Sequence, residues 1–158
     1  MSEPAPPTGS GVEGAMSPPT ESGVGPEPDR IVNPPELAPP TGFAHAVVAG
    51  TTIYLGGQTA HARDGSLQGE TMAEQFDVAA GNLVTALRAA GGEPGDLVTL
   101  QVFVTDVEEY RASLSELGRV WRSHFGKRYP AMGLFGVTRL FDPGAKVELM
   151  GVAELGRA

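Results

Sequence analysis

Two stretches of 3.6-residue periodicity interrupt five of two-residue periodicity in this chain, and that order limits the folds open to it. "FAHAVVAGTTIYLGG" holds two short β-type runs, 43–49 and 52–57, joined at Ala49-Gly50 as a hairpin. "ARDGSLQG" follows as a loop around an Asp-Gly turn. Thr71 and Glu74 then make a T-x-x-E capping box, and Phe76, Ala80, Leu83, Leu87 and Ala90 form one helical stripe that Gly91 and Gly92 end. "DLVTLQVFVTD" is the next strand. Asp106 caps a second helix with Glu109 at its N3 position and a stripe of Tyr110, Leu114, Leu117, Trp121 and Phe125. Two strands, "AMGLFGVT" and "AKVELMGVA", follow around a "FDPG" turn. The order β-β-α-β-α-β-β calls for an α+β domain with two amphipathic helices on one face of a sheet of about five strands. The other face then needs a cover. With Gly56, Gly57, Gly133 and Gly136 on the strands, self-association is the expected one.

Composition divides the chain. Eleven of the 14 prolines fall in the first 40 positions, and residues 1–29 carry five acids with no Lys or Arg. Such a segment has little to bury and reads as a disordered, acidic, Pro/Gly-rich tail, with the folded domain at 30–158. It has neither the basic start nor the apolar run of a signal peptide, and no apolar stretch is long enough to span a membrane. The net charge is −8 overall and −3 in 30–158, which gives a polyanion no electrostatic reason to bind. Nucleic acid is therefore not an expected partner. The absence of cysteine excludes disulfides, thiolate metal sites and cysteine nucleophiles, and a cytoplasmic setting is expected.

Glu148 poses the sharpest local question. It sits inside "AKVELMGVA", where alternation puts Lys146, Glu148, Met150 and Val152 on one face and Val147, Leu149 and Gly151 on the other. A carboxylate withdrawn from water needs a partner or a task. It either pairs with a base of a neighbouring subunit or serves a ligand.

The ordered set "GTTIYLGGQ", a D-G loop, "EQFDVAAGNLVTALRAAGG", "DLVTLQVFVTD", "YPA" and "KVELMGVA" resembles the YjgF/RidA family over residues 31–155. The resemblance implies a chorismate-mutase-like fold, a homotrimer with ligand clefts between subunits, and hydrolysis of enamines or imines without metal or organic cofactor. It also implies that Glu148 is the cleft glutamate, and that Gly57 and Gln58 belong to the ligand-facing turn, where Gly56 stands in place of the family's serine. Phe43 falls where the family has a tyrosine, Leu114 where it has an asparagine, and Met132 where its deaminases have an arginine that clamps the substrate carboxylate. Methionine cannot replace a bidentate guanidinium. The expected substrate is thus an enamine, imine or related carbonyl compound without the usual α-carboxylate, in a cleft lined by Phe43, Met132, Leu134 and Leu114. Arg128, before the proline, is the base placed to reach over, although a loop arginine is more often solvated. Met132 and Leu134 beside Glu148 would lower the local dielectric and raise its pKa.

His45 and His61 are candidates for proton relay, each weighed against a plain surface or hydrogen-bonded role. His124 fits a helix C-terminal partner. Three histidines scattered over strand, loop and helix make no metal set. Trp121 reads as core, and Gln75 and Asn82 as bonding along the solvent or loop side of the first helix. The competing function is a non-catalytic trimeric module that binds a small metabolite or partner protein in the same clefts.

Overall fold

The computed structural model describes residues 28–157, so nearly all of the expected tail lies outside the described residues. The strands are β1 (Arg30–Val32), β2 (Ala46–Ala49), β3 (Thr52–Gln58), β4 (Leu97–Val104), β5 (Ala131–Gly136) and β6 (Val147–Glu154), and the helices are α1 (Met72–Ala89), α2 (Val107–Ala112) and α3 (Leu114–Phe125). One sheet holds all six strands in the order β1-β2-β3-β6-β4-β5. Neighbours run antiparallel except β4 and β5, which are parallel and linked through α2 and α3.

The capping signals act as expected. Thr71 accepts from the Glu74 amide while the Glu74 carboxylate accepts from the Thr71 amide, and Asp106 accepts from the Glu109 amide. Phe76, Ala80, Leu83 and Leu87 on α1 are buried, and α1 packs on β3 and β6, whose Ile53, Leu55, Val147 and Leu149 are also buried. Each fully buried large side chain of this kind stabilises the fold by about 1.5–3 kcal/mol. Trp121 lies in the core, stacked on Tyr129 at 4.9 Å.

Three expectations are corrected. Among the described residues the sheet has six strands, because Arg30–Val32 pairs with β2 as well. The first expected strand, 43–49, starts only at Ala46, since the His45 amide is held by Asn33 Oδ1 at 2.9 Å. The second helix divides at Ser113, whose hydroxyl donates to the Glu109 carbonyl at 2.8 Å. Leu117, Trp121 and Phe125 keep the buried stripe beyond that break, but Leu114 falls off it and is 57% exposed.

On β6 the alternation is as read: Val147, Leu149, Gly151 and Ala153 are buried, and Glu148, Met150 and Val152 face the other way. Lys146 precedes the strand, and its ammonium goes to the Glu109 carboxylate. The face without helices carries exposed Tyr54, Phe135 and Met150.

Candidate functional site

β3 and β6 lose register where the site is built. Leu55 pairs with Gly151, and the next pair is Gln58 with Leu149, so β3 spends one residue more than β6. Gly56 and Gly57 fill this bulge, the position where a strand bends and re-aims its side chains. Glu148 lies directly over Gly57: a Cβ there would stand 1.8 Å from Glu148 Oε1. The missing side chain is the seat of the carboxylate. Burial pushes the Glu148 pKa above the usual glutamate range. Among the described residues no hydrogen-bond donor meets this carboxylate within the chain.

Beside it, a hydrogen-bond network sets the polarity of Gln58. His45 Nε2 donates to the Ala38 carbonyl at 2.8 Å, so in the neutral ring Nδ1 accepts, and it accepts from Gln58 Nε2 at 3.1 Å. The same amide nitrogen donates to the Gly56 carbonyl at 3.3 Å. Both residues are buried. Gln58 has therefore spent its donors and offers the cleft its Oε1 as an acceptor. His45 is a positioning residue with both ring nitrogens in use.

These groups line a cleft of about 920 Å³. Of the residues singled out in the sequence, Phe43, His45, Gly57, Gln58, His61, Asn82 and Glu148 meet there. Phe43 packs edge-on against His45 with ring centroids 5.3 Å apart. Phe141, fully exposed, and Met150 add apolar surface. Among the described residues, the ionisable acids in the lining are Glu148 and Asp142, and no Lys or Arg lines it.

The others lie elsewhere in the single chain. Gly56 backs the bulge, tucked under the Ala44 carbonyl. Leu114 is on α3. Met132 pairs with Leu100 and Leu134 with Val102, on the helix side of the sheet, whereas Glu148 is level with Phe103 on the opposite side. The pKa rise at Glu148 thus comes from burial in its own bulge, and Met132 and Leu134 have no part in it within one chain. Arg128 donates to the Gly95 carbonyl at 2.8 Å instead of reaching toward Met132.

Sequence reading passed over Thr59 and Asp142. His61 Nδ1 meets Thr59 Oγ1 at 2.6 Å, and His61 Nε2 meets Asp142 Oδ2 at 3.0 Å. Asp142 had registered only as part of the "FDPG" turn, and nothing local announces a partner 81 residues away.

The family model described as endoribonuclease L-PSP matches residues 34–155, within which every element of this cleft falls. The chain belongs to the YjgF/RidA family. A 2-iminobutanoate/2-iminopropanoate deaminase of Dermatophagoides farinae is 26% identical over 127 residues, covering 79% of this chain and 95% of that protein. "Protein mmf2, mitochondrial" of Schizosaccharomyces pombe is 29% identical over 113 residues, 70% of this chain and 86% of its own length. RidA from the Antarctic bacterium Psychrobacter superposes with a TM-score of 0.71 at 23% identity, over 80% of this chain and 99% of that one, which shows the YjgF/RidA fold.

Proposed function

We propose that this protein is a cofactor-independent Rid-type enzyme that hydrolyses an enamine, imine or related carbonyl compound lacking an α-carboxylate. The observation that carries the proposal is the Glu148 carboxylate, half-buried on Gly57 and facing a largely apolar cleft. A carboxyl group whose pKa is raised by burial can give a proton to an imine nitrogen and take one back from the added water. Gln58 Oε1 would accept from the ligand's N–H.

The electrostatics speak for the substrate class. Among the described residues no Lys or Arg lines the cleft, the ionised Asp142 repels a carboxylate as it repels a phosphate, and Met132 supplies no counter-charge. This also weighs against an endoribonuclease activity, whatever the family's name. In the same proposal the protein is a cytoplasmic homotrimer. β5 is an edge strand, and Met132 and Leu134 are half-exposed on it, so a neighbour's copy of that strand is the one that could bring them to a cleft.

The test is ammonia release from 2-iminopropanoate against the imine of a neutral aldehyde, with wild type and Glu148→Gln. The neutral imine should be accelerated, and the variant should lose on the order of 100-fold in turnover. Preference for the α-imino acid would overturn the substrate class. No acceleration of any imine would leave the non-catalytic binding module instead.

A further inference from the structure

We propose that Thr59, His61 and Asp142 form a hydroxyl–imidazole–carboxylate relay that makes Thr59 Oγ1 the second proton-transfer group of the cleft. All three residues line it. The direction of the relay follows from donor and acceptor counting. The backbone amide of Gly144 donates to Asp142 Oδ1 at 2.8 Å, and this bond together with His61 keeps the carboxyl below the usual aspartate range. An ionised carboxylate only accepts, so at 3.0 Å His61 Nε2 must donate. In the neutral ring Nδ1 is then bare and accepts the Thr59 hydroxyl proton at 2.6 Å. This is the arrangement in which an imidazole, held by a carboxylate, takes a proton from a hydroxyl.

The relay is braced from behind by α1. Asn82 Nδ2 donates to the carbonyls of both Thr59 and His61 at 2.9 Å. Two turns earlier the buried Gln75 donates to the Gly144 carbonyl at 3.0 Å and accepts from the Lys146 amide at 2.8 Å. One helix face therefore holds both chain segments, 59–61 and 142–146, that must meet for His61 to touch Asp142.

The proposal rests on the acid–base reading of the cleft and completes its proton count. Addition of water to C=N requires one proton delivered to nitrogen and one removed from water. Glu148 gives the first. Thr59 Oγ1 takes the second while passing its own proton to His61 Nδ1, and Asp142 stabilises the imidazolium. In the collapse of the carbinolamine, His61 returns its proton through Thr59 to the leaving nitrogen, and Glu148 recovers one from the hydroxyl. The products are the carbonyl compound and ammonia, with both groups restored.

Thr59→Val keeps the shape and removes the hydroxyl. With the imine that wild type turns over, kcat should fall on the order of 100-fold with KM within about twofold, and Thr59→Ser should restore it. Asp142→Asn should fall about 10-fold alone and add nothing to Thr59→Val, because it acts through the hydroxyl. Wild-type kcat in Thr59→Val, or losses that multiply in the double variant, would overturn the relay while leaving Glu148 untouched. The tautomer is read separately from the 15N shifts of His61 in the ligand-free protein. A bare Nδ1 whose shift moves in Thr59→Val is expected; a protonated Nδ1 overturns the relay. The protonated Nδ1 overturns the relay whether or not an imine is turned over, whereas a bare Nδ1 with no imine turned over sinks the proposed function on which the relay rests.

Discussion

A methyl group added at Gly56 would stand 2.3 Å from the backbone carbonyl of Ala44, while one added at Gly57 would stand 1.8 Å from Oε1 of Glu148. The first neighbour is main chain, tied at the adjacent residue by the Gly56 amide to the His45 carbonyl at 2.9 Å. The second is the end of a flexible side chain. Gly56→Ala should therefore destabilise by about 1–3 kcal/mol in denaturant unfolding. Gly57→Ala should cost less than about 1 kcal/mol, because the carboxylate can swing away, yet lose turnover as far as Glu148→Gln does. A Gly57→Ala protein with full activity would show that the seat is not needed. Glu148 itself titrates against folding. Its raised pKa means the folded chain keeps a proton that the unfolded chain has already released. The stability this group contributes is full below the ordinary glutamate value of 4.5 and is lost as pH rises through the folded value. Glu148→Gln should be more stable than wild type at neutral pH, with the gap closing in acid, as urea midpoints would show.

At the scale of elements, α1 carries two faces of different chemistry. Its apolar stripe of Phe76, Ala80, Leu83 and Leu87 was legible from spacing alone and holds it on the sheet. Its amides, Gln75 and Asn82, looked like a solvent- or loop-side pair. Asn82 does bond to a loop, but Gln75 is buried and binds Gly69, Gly144 and Lys146 backbone groups. Gln75→Leu strands three of these polar groups and should cost about 2–4 kcal/mol in chemical denaturation. A loss under about 0.5 kcal/mol would mean that water replaces the amide. The second helix was legible as an apolar stripe and a cap, but not as two helices. Ser113 leaves helical backbone geometry, with φ −99° and ψ 6°, and divides it there, and no periodicity count registers a change of dihedral at one residue.

For the whole molecule, the helices cover one face of the sheet and leave Tyr54, Phe135 and Met150 exposed on the other. The proposed homotrimer would use that face. Sedimentation equilibrium should then give three times the mass of the chain. Phe135→Glu, on the edge strand and stacked on Phe103 at 5.5 Å, should shift it toward monomer and lower cleft activity together. A folded wild-type monomer that is fully active would remove the trimer from the reading. No described helix is long and apolar enough to cross a membrane.

Sequence by itself determined the two helical stripes and the five longer strands, the caps at Thr71 and Asp106, and the side of β6 on which Glu148 stands. These are local properties: a side-chain period of two or 3.6 and a cap three residues long are written in consecutive letters. Only the tertiary structure decided which faces meet. The β3 bulge set Gly57 under Glu148, and the β4–β5 register turned Met132 and Leu134 away from it within one chain. Gln58 became an acceptor because His45 and Gly56 use its donors, and His61 found Asp142 across 81 residues. Pairing register and hydrogen-bond partnership are choices among distant groups, settled by which packing satisfies every buried donor and acceptor at once.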